Sequence, residues 1–425
     1  MRARLASECL PAQQLQWRLV LAPPGAKHRL PMSPTPSWKR NLVLLMALQA
    51  LMTVIAVVLA TVNGLAGLAL APTPKLATLP VTAFVAGGAL STFAISLLMA
   101  RIGRVAAFRS GIACGIGGAL VCAQAAEHRQ FWLLCAGSLI VGVSSAFAQY
   151  YRFAAVDAAP AESMSRAVSL VLAGGILGAV LGPESAKWTR DLTGTVYVGS
   201  YLWMATVGLL ALLCSVALDI PHQPSVTERV AWAALRTALR RLEVLVAIKS
   251  AVVGYAVMIF LMTATPLAMQ HARHSFDDTA FVIEWHVLGM YAPAFVTGYL
   301  VAVWGALRVI GLGAVLMLIS AAIHLLGTDV SHFWAGLVLL GIGWNFMFVG
   351  ATTLLSENCT DADKAVLQGA NEVCVFAGNA LASTLAGVLL YAIGWQFMNQ
   401  VSVPFLVALI ALLLVLGRRR VPEAS

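Results

Sequence analysis

Charge is scarce in this chain. Only 11% of its 425 residues are Asp, Glu, Lys or Arg, whereas 60% are hydrophobic and the mean hydropathy is +0.86. A soluble domain is only ~45–50% apolar, so an ordinary soluble fold is excluded. The net charge of +9 does not point to nucleic acid either, because Lys and Arg are scattered over short loops with no interleaved basic and aromatic patch. Paired cysteines are also lacking. Cys9, Cys114, Cys122, Cys135, Cys214, Cys359 and Cys374 lie mostly in apolar segments, with no CxxC and no His-rich partner spacing, which excludes a disulfide framework and a metal site. No phosphate loop, nucleophile elbow or paired catalytic carboxylate occurs. The chain therefore reads as neither an enzyme nor an ATP-driven pump, and no cofactor is expected.

What fills the sequence instead is apolar runs of about 20 residues, each long enough to cross a bilayer. They are continuous rather than alternating, so they predict helices and not barrel strands. Twelve spans are predicted, at 41–66, 77–100, 106–126, 131–153, 167–186, 196–218, 244–268, 281–303, 306–326, 333–355, 366–391 and 395–417. This is an all-α membrane protein, organised as a tail (1–40), an N-terminal six-helix bundle (41–220), a linker (221–243), a C-terminal six-helix bundle (244–417) and a short end (418–425). The Pro-rich tail has no apolar core of a secretory signal, and Met32 ahead of "SPTPSWKR" marks an alternative start. With both termini inside, 21 Lys and Arg are cytoplasmic, 5 lie in outer loops and Lys249 lies in a span, which accounts for all 27. That bias orients the chain in an inner membrane with both ends cytoplasmic. In the linker, Arg229, Arg236, Arg240 and Arg241 flank apolar positions at helical spacing, as in a helix lying at the membrane surface.

The halves repeat at a constant offset of 202 residues: Gly103 matches Gly305, Gly111 matches Gly313, and Phe131–Trp132 matches Phe333–Trp334. Two repeated bundles can hold a site at their interface and rock around it. Here the sequence resembles the major facilitator superfamily, over residues 41–417. "LLMARIGRVAAFR" (97–109) is similar to the family's loop between spans two and three, with Arg101, Gly103 and Arg104 in place. Ser96 replaces its leading Gly and Ala100 its acidic residue, so the cytoplasmic latch that this acid helps to close must differ here. "SLVLAGGILGAVLGP" (169–183) is similar to the fifth-span motif of the family's proton-coupled exporters, with Gly178, Gly182 and Pro183 retained and Ser169 in place of the first Gly. Small residues at this spacing also serve plain helix packing. The arginine those exporters carry early in span four has no counterpart.

Polar side chains inside spans are costly unless they face a partner or a wet cavity, so each one is a site candidate. In "GIGWNFMFVGATTLL", Asn345 either lines a central cavity beside Trp344 or glues span ten to a neighbour. Glu284 shares a helix face with Tyr291 and is the leading proton-binding carboxylate, the alternative being a rim pair with Arg273. His286 is a proton relay or a packing histidine. In span eleven, Gln368, Asn371 and Glu372 form one polar face, continued deeper by Asn379. Lys249 in span seven and Gln49 in span one are further cavity candidates, Lys249 being the one to meet an anion. At the inner end of span four lie Gln149, Arg152 and Asp157, where Arg152 serves gating or snorkels to lipid. Glu184 and Lys187 read as a rim ion pair. Thr263, Thr265 and Pro266 mark a loosened point in span seven.

The resemblance implies a monomeric secondary transporter that moves a small organic solute through the lipid bilayer by alternating access. Protons are the expected coupling ion, and the partial fifth-span motif favours export. The other class left open is a transporter-like receptor that binds a solute without moving it.

Overall fold

The computed structural model describes residues 38–158, 164–220, 240–358 and 364–420. The tail with Met32, most of the linker and the last five residues lie outside them. The described chain is helical: α1 (Trp38–Leu70), α2 (Leu79–Ile102), α3 (Arg104–Glu127), α4 (Phe131–Ala148), α5 (Tyr151–Ala158), α6 (Met164–Arg190), α7 (Val198–Val216), α8 (Leu242–His271), α9 (Phe276–Tyr291), α10 (Ala294–Trp304), α11 (Ala306–Leu326), α12 (Val330–Glu357) and α13 (Lys364–Arg420). Helices α4 and α5 make up span four. Helices α9 and α10, bent by 41°, make up span eight. Gly394, at φ 82°, divides α13 into spans eleven and twelve, so twelve spans result.

Three expectations about the helices change. Span four is interrupted after Ala148, where Gln149 and Tyr150 form a turn before α5. Span eight breaks at Ala292 and Pro293, because proline has no N–H to donate to the preceding turn. Span seven does not break: α8 runs through Pro266, and Thr265 Oγ1 bonds back to the Leu261 carbonyl at 2.8 Å.

Each half has its own apolar core, one around Phe108, Leu134, Tyr151 and Tyr201, the other around Leu261, Met317, Phe333 and Leu340. In lipid, apolar burial gives little drive for helix association, so close approach and hydrogen bonds hold the bundles. In the N-terminal half, buried Asn63 donates to Ser138 Oγ (2.9 Å) and accepts from the Tyr201 hydroxyl (2.9 Å), joining spans one, four and six. In the C-terminal half, His324 Nδ1 lies 3.0 Å from Asn399 Oδ1, joining spans nine and twelve. Gly178 and Gly182 press span five onto span one: a Cβ at Gly178 would lie 2.5 Å from Thr53 Cβ, and one at Gly182 would lie 2.7 Å from Val57 Cβ.

The repeat has a backbone signature. Gly103 (φ 83°, ψ 162°) and Gly305 (φ 82°, ψ 151°) take the same left-handed conformation at the turns after spans two and eight, which a side chain would strain.

Candidate central cavity

Between the halves lies a cavity of about 280 Å³. The N-terminal half contributes Gln49 and Thr53 from α1, Phe84 from α2, and Ser145 and Gln149 from span four. The C-terminal half contributes Tyr255, Met258 and Met262 from α8, Tyr291 from α9 and Trp344 from α12. Behind the C-terminal wall, Trp344 and Phe348 stack at 5.3 Å with 4° between their planes, and Tyr255 meets both edge-on at 5.0 and 5.5 Å. Such a wall of rings and thioethers is polarizable and largely apolar. Its polar complement comes from the other side, in the amides of Gln49 and Gln149. Among the described residues, the lining holds no Asp, Glu, Lys, Arg or His.

Of the residues singled out in the sequence, Trp344, Tyr291 and Gln49 line this space. Asn345 does not, being 3% exposed. Its Nδ2 donates to the Met290 carbonyl at 2.7 Å, in the last turn of α9, where carbonyls lose their in-helix donors. Its Oδ1 accepts from the Thr297 hydroxyl at 2.6 Å, on the far side of the break. The mid-membrane amide thus staples the two pieces of span eight, which is the glue alternative. Lys249 is exposed and absent from the lining. It stands near the start of α8, short of the stretch from Tyr255 to Thr263 that walls the cavity. Asn379 is buried outside the lining, with Oδ1 unpartnered.

The coupling candidates separate. Glu284 is half-buried, and Glu184 and Lys187 of span five act on it electrostatically across the seam between halves. Glu184 and Lys187 themselves form the rim ion pair, at 2.5 Å. Among the described residues Glu284 has no ion pair with Arg273, which lies beyond the end of α8. His286 is fully buried, with Nδ1 2.8 Å from the Leu337 carbonyl, a packing contact between spans eight and ten. Glu372 is exposed, bonds to Asn371, and lies in electrostatic range of Arg152 and Tyr255. Arg152 thus acts electrostatically on a carboxylate of the opposite half. The side chains of Asp157 and Gln368 lie outside the described ones. Arg101 is exposed beside the Gly103 turn and Arg104 is half-buried at the start of α3.

Tyr255, Thr53 and Ser145 line the cavity without having been singled out. In an apolar helix a Tyr, Thr or Ser carries no polarity beyond what its own helix can satisfy, so hydropathy does not flag it.

The hydrogen bonds and ring contacts described between the halves lie at the end predicted to face outward. Ser383 Oγ donates to Thr82 Oγ1 (3.1 Å) and the Gly387 N–H to Thr78 Oγ1 (3.1 Å), joining spans two and eleven. The Arg190 guanidinium sits 4.8 Å over the Phe276 ring and 5.8 Å over Tyr197, joining spans five and eight.

Two repeated helical bundles that enclose a mixed aromatic and polar cavity at their interface define a multi-pass membrane transporter. The chain belongs to the Major Facilitator Superfamily, whose sequence model matches residues 41–283 and 246–425. It is 39% identical to the riboflavin transporter RfnT of Brucella anthropi, over 89% of this chain and 96% of that one. It is 28% identical to the uncharacterized MFS-type transporter YdeG of Bacillus subtilis, over 77% of this chain and 80% of the relative. Its fold is similar to that of a bacterial homolog of the human lysosomal transporter Spinster in an inward-facing and occupied conformation. That match has a TM-score of 0.70 at 14% identity and covers 91% of this chain and 98% of the other. With these relatives the chain is a transporter of a small solute and not an enzyme.

Proposed function

We propose that the protein carries an uncharged, flat aromatic solute of the riboflavin class across the inner membrane by alternating access, driven by protons. The observation that carries this reading is the division of the cavity: a wall of Tyr255, Trp344 and methionines opposite uncharged amides and hydroxyls. A flat heteroaromatic ring fits the first and its polar edge the second. The kinship to a riboflavin transporter supports the same class. A lining without ionisable acids or bases disfavours a phosphate monoester, whose charge would be desolvated without a partner.

In this reading 41–220 and 244–417 are the two rocking units, 221–243 joins them, and both ends of a monomeric chain lie in the cytoplasm. Glu284 is the proton carrier, placed where the halves meet at spans five and eight. The fifth-span glycines press on Thr53 and Val57 of span one, which supports a packing role for the motif, and the partial motif favours export over import. The reading is tested in vesicles of purified protein with a solute gradient imposed either way and a pH gradient added. Riboflavin movement that follows the pH gradient, with flavin mononucleotide left behind, is expected. Riboflavin bound without being moved would return the receptor class.

A further inference from the structure

Gln149 occupies an unusual place. It caps the C-terminus of α4, in the two-residue break of span four, and it lines the cavity. Its side chain is exposed and makes no hydrogen bond among the described residues. Gln49, the other amide of the lining, is partly engaged, since its Nε2 donates to Thr53 Oγ1 at 3.3 Å. A primary amide presents a carbonyl acceptor and an N–H donor side by side. The edge that complements it carries an N–H next to a carbonyl, which is the imide edge of a flavin ring. A flavin ring whose apolar end sits among Tyr255, Trp344 and the methionines of one half would point its opposite, imide edge across the cavity to the other half, where Gln149 stands.

We propose that Gln149 is a specificity-determining residue whose free side-chain amide pairs with the imide edge of the flavin ring. This deepens the riboflavin-class reading and rests on it. Because the amide has no protein partner to lose, its removal should leave folding intact and change recognition alone.

The test crosses a change in the protein with a change in the ligand. Binding of riboflavin, and of riboflavin methylated on the imide nitrogen, is measured by flavin fluorescence quenching on the purified protein. The comparison is repeated with Gln149→Met, which keeps length and shape, and with Gln149→Leu. Expected is about a tenfold loss on methylation with the native chain, the scale of one buried hydrogen bond, and none with either variant. The thermal midpoints of the variants should match the native one. A methylation effect of equal size in native and variant chains, or none in the native chain, would overturn the assignment while leaving the riboflavin-class reading in place. A native chain that binds neither flavin would overturn both.

Discussion

The two seams between the halves occupy equivalent places in the repeat and differ in chemistry. At the 202-residue offset, Thr82 of span two corresponds to Glu284 of span eight. Thr82 meets Ser383 of span eleven, and the hydrogen bonds described at that seam use only hydroxyls and a backbone N–H. Glu284 faces Glu184 and Lys187 of span five, and the Arg190 guanidinium lies over Phe276 at the same seam. The same frame thus yields one neutral, proton-indifferent seam and one that can gain or lose a charge. The lesson extends to the helices behind them. Span two is continuous, whereas span eight is broken at Pro293 and held by Asn345, whose equivalent in the first half is Val143. The charged seam therefore rests on the jointed helix, where missing backbone bonds soften the rod.

The sharpest way to break this comparison is to neutralise the charged seam. Glu284→Gln should leave riboflavin binding largely intact and abolish uphill movement, whereas Thr82→Ala should leave accumulation in place. Accumulation by Glu284→Gln at the native rate in vesicles would end the assignment of the proton to this seam.

Next in size is the staple. Asn345→Val installs the residue of the first half and leaves the Met290 carbonyl without its side-chain donor, at about 1–3 kcal/mol, while the Thr297 hydroxyl keeps the Pro293 carbonyl as acceptor. Thermal unfolding in detergent should show a clear drop, and the reverse change, Val143→Asn, should bring no gain.

Where the halves agree, the effects should agree. Gly103→Ala and Gly305→Ala each force a side chain into the left-handed region, at about 1–2 kcal/mol, and their midpoints should fall together. A difference much larger than the measurement error would show that the turns are not equivalent.

The smallest expected effect is at the neutral seam. Ser383→Ala removes one hydroxyl bond, about 0.5–1.5 kcal/mol, and should shift the balance between states without stopping transport. Cysteine accessibility at the outer end, compared with the native chain, reads that shift.

These contrasts show which parts of the structure could be read from the sequence. The twelve spans and the repeat were legible because bilayer thickness fixes span length and because a left-handed turn demands glycine at 103 and again at 305. The aromatic wall was half legible, since Trp344 and Tyr291 stand beside polar residues while Tyr255 does not. Asn345 posed two options that only contacts separate, because a helix position does not say whether an amide faces a cavity or a carbonyl. Pro266 and Pro293 look alike in sequence. The structure breaks only at the second, where Asn345 donates to the Met290 carbonyl on one side of the break and accepts from the Thr297 hydroxyl on the other. Lys249 misled because its depth along span seven says nothing of the side it faces.

The division of the cavity, with most of its rings on one half and both its amides on the other, makes the solute a coincidence signal. A molecule that offers only a flat face satisfies the C-terminal half, and one that offers only a polar edge satisfies the N-terminal half. Neither gives the two halves a reason to close on each other, because a ligand shifts an equilibrium only by the difference in its affinity for the two states. Such half-matched molecules should occupy the cavity without being carried, and so act as blockers rather than passengers.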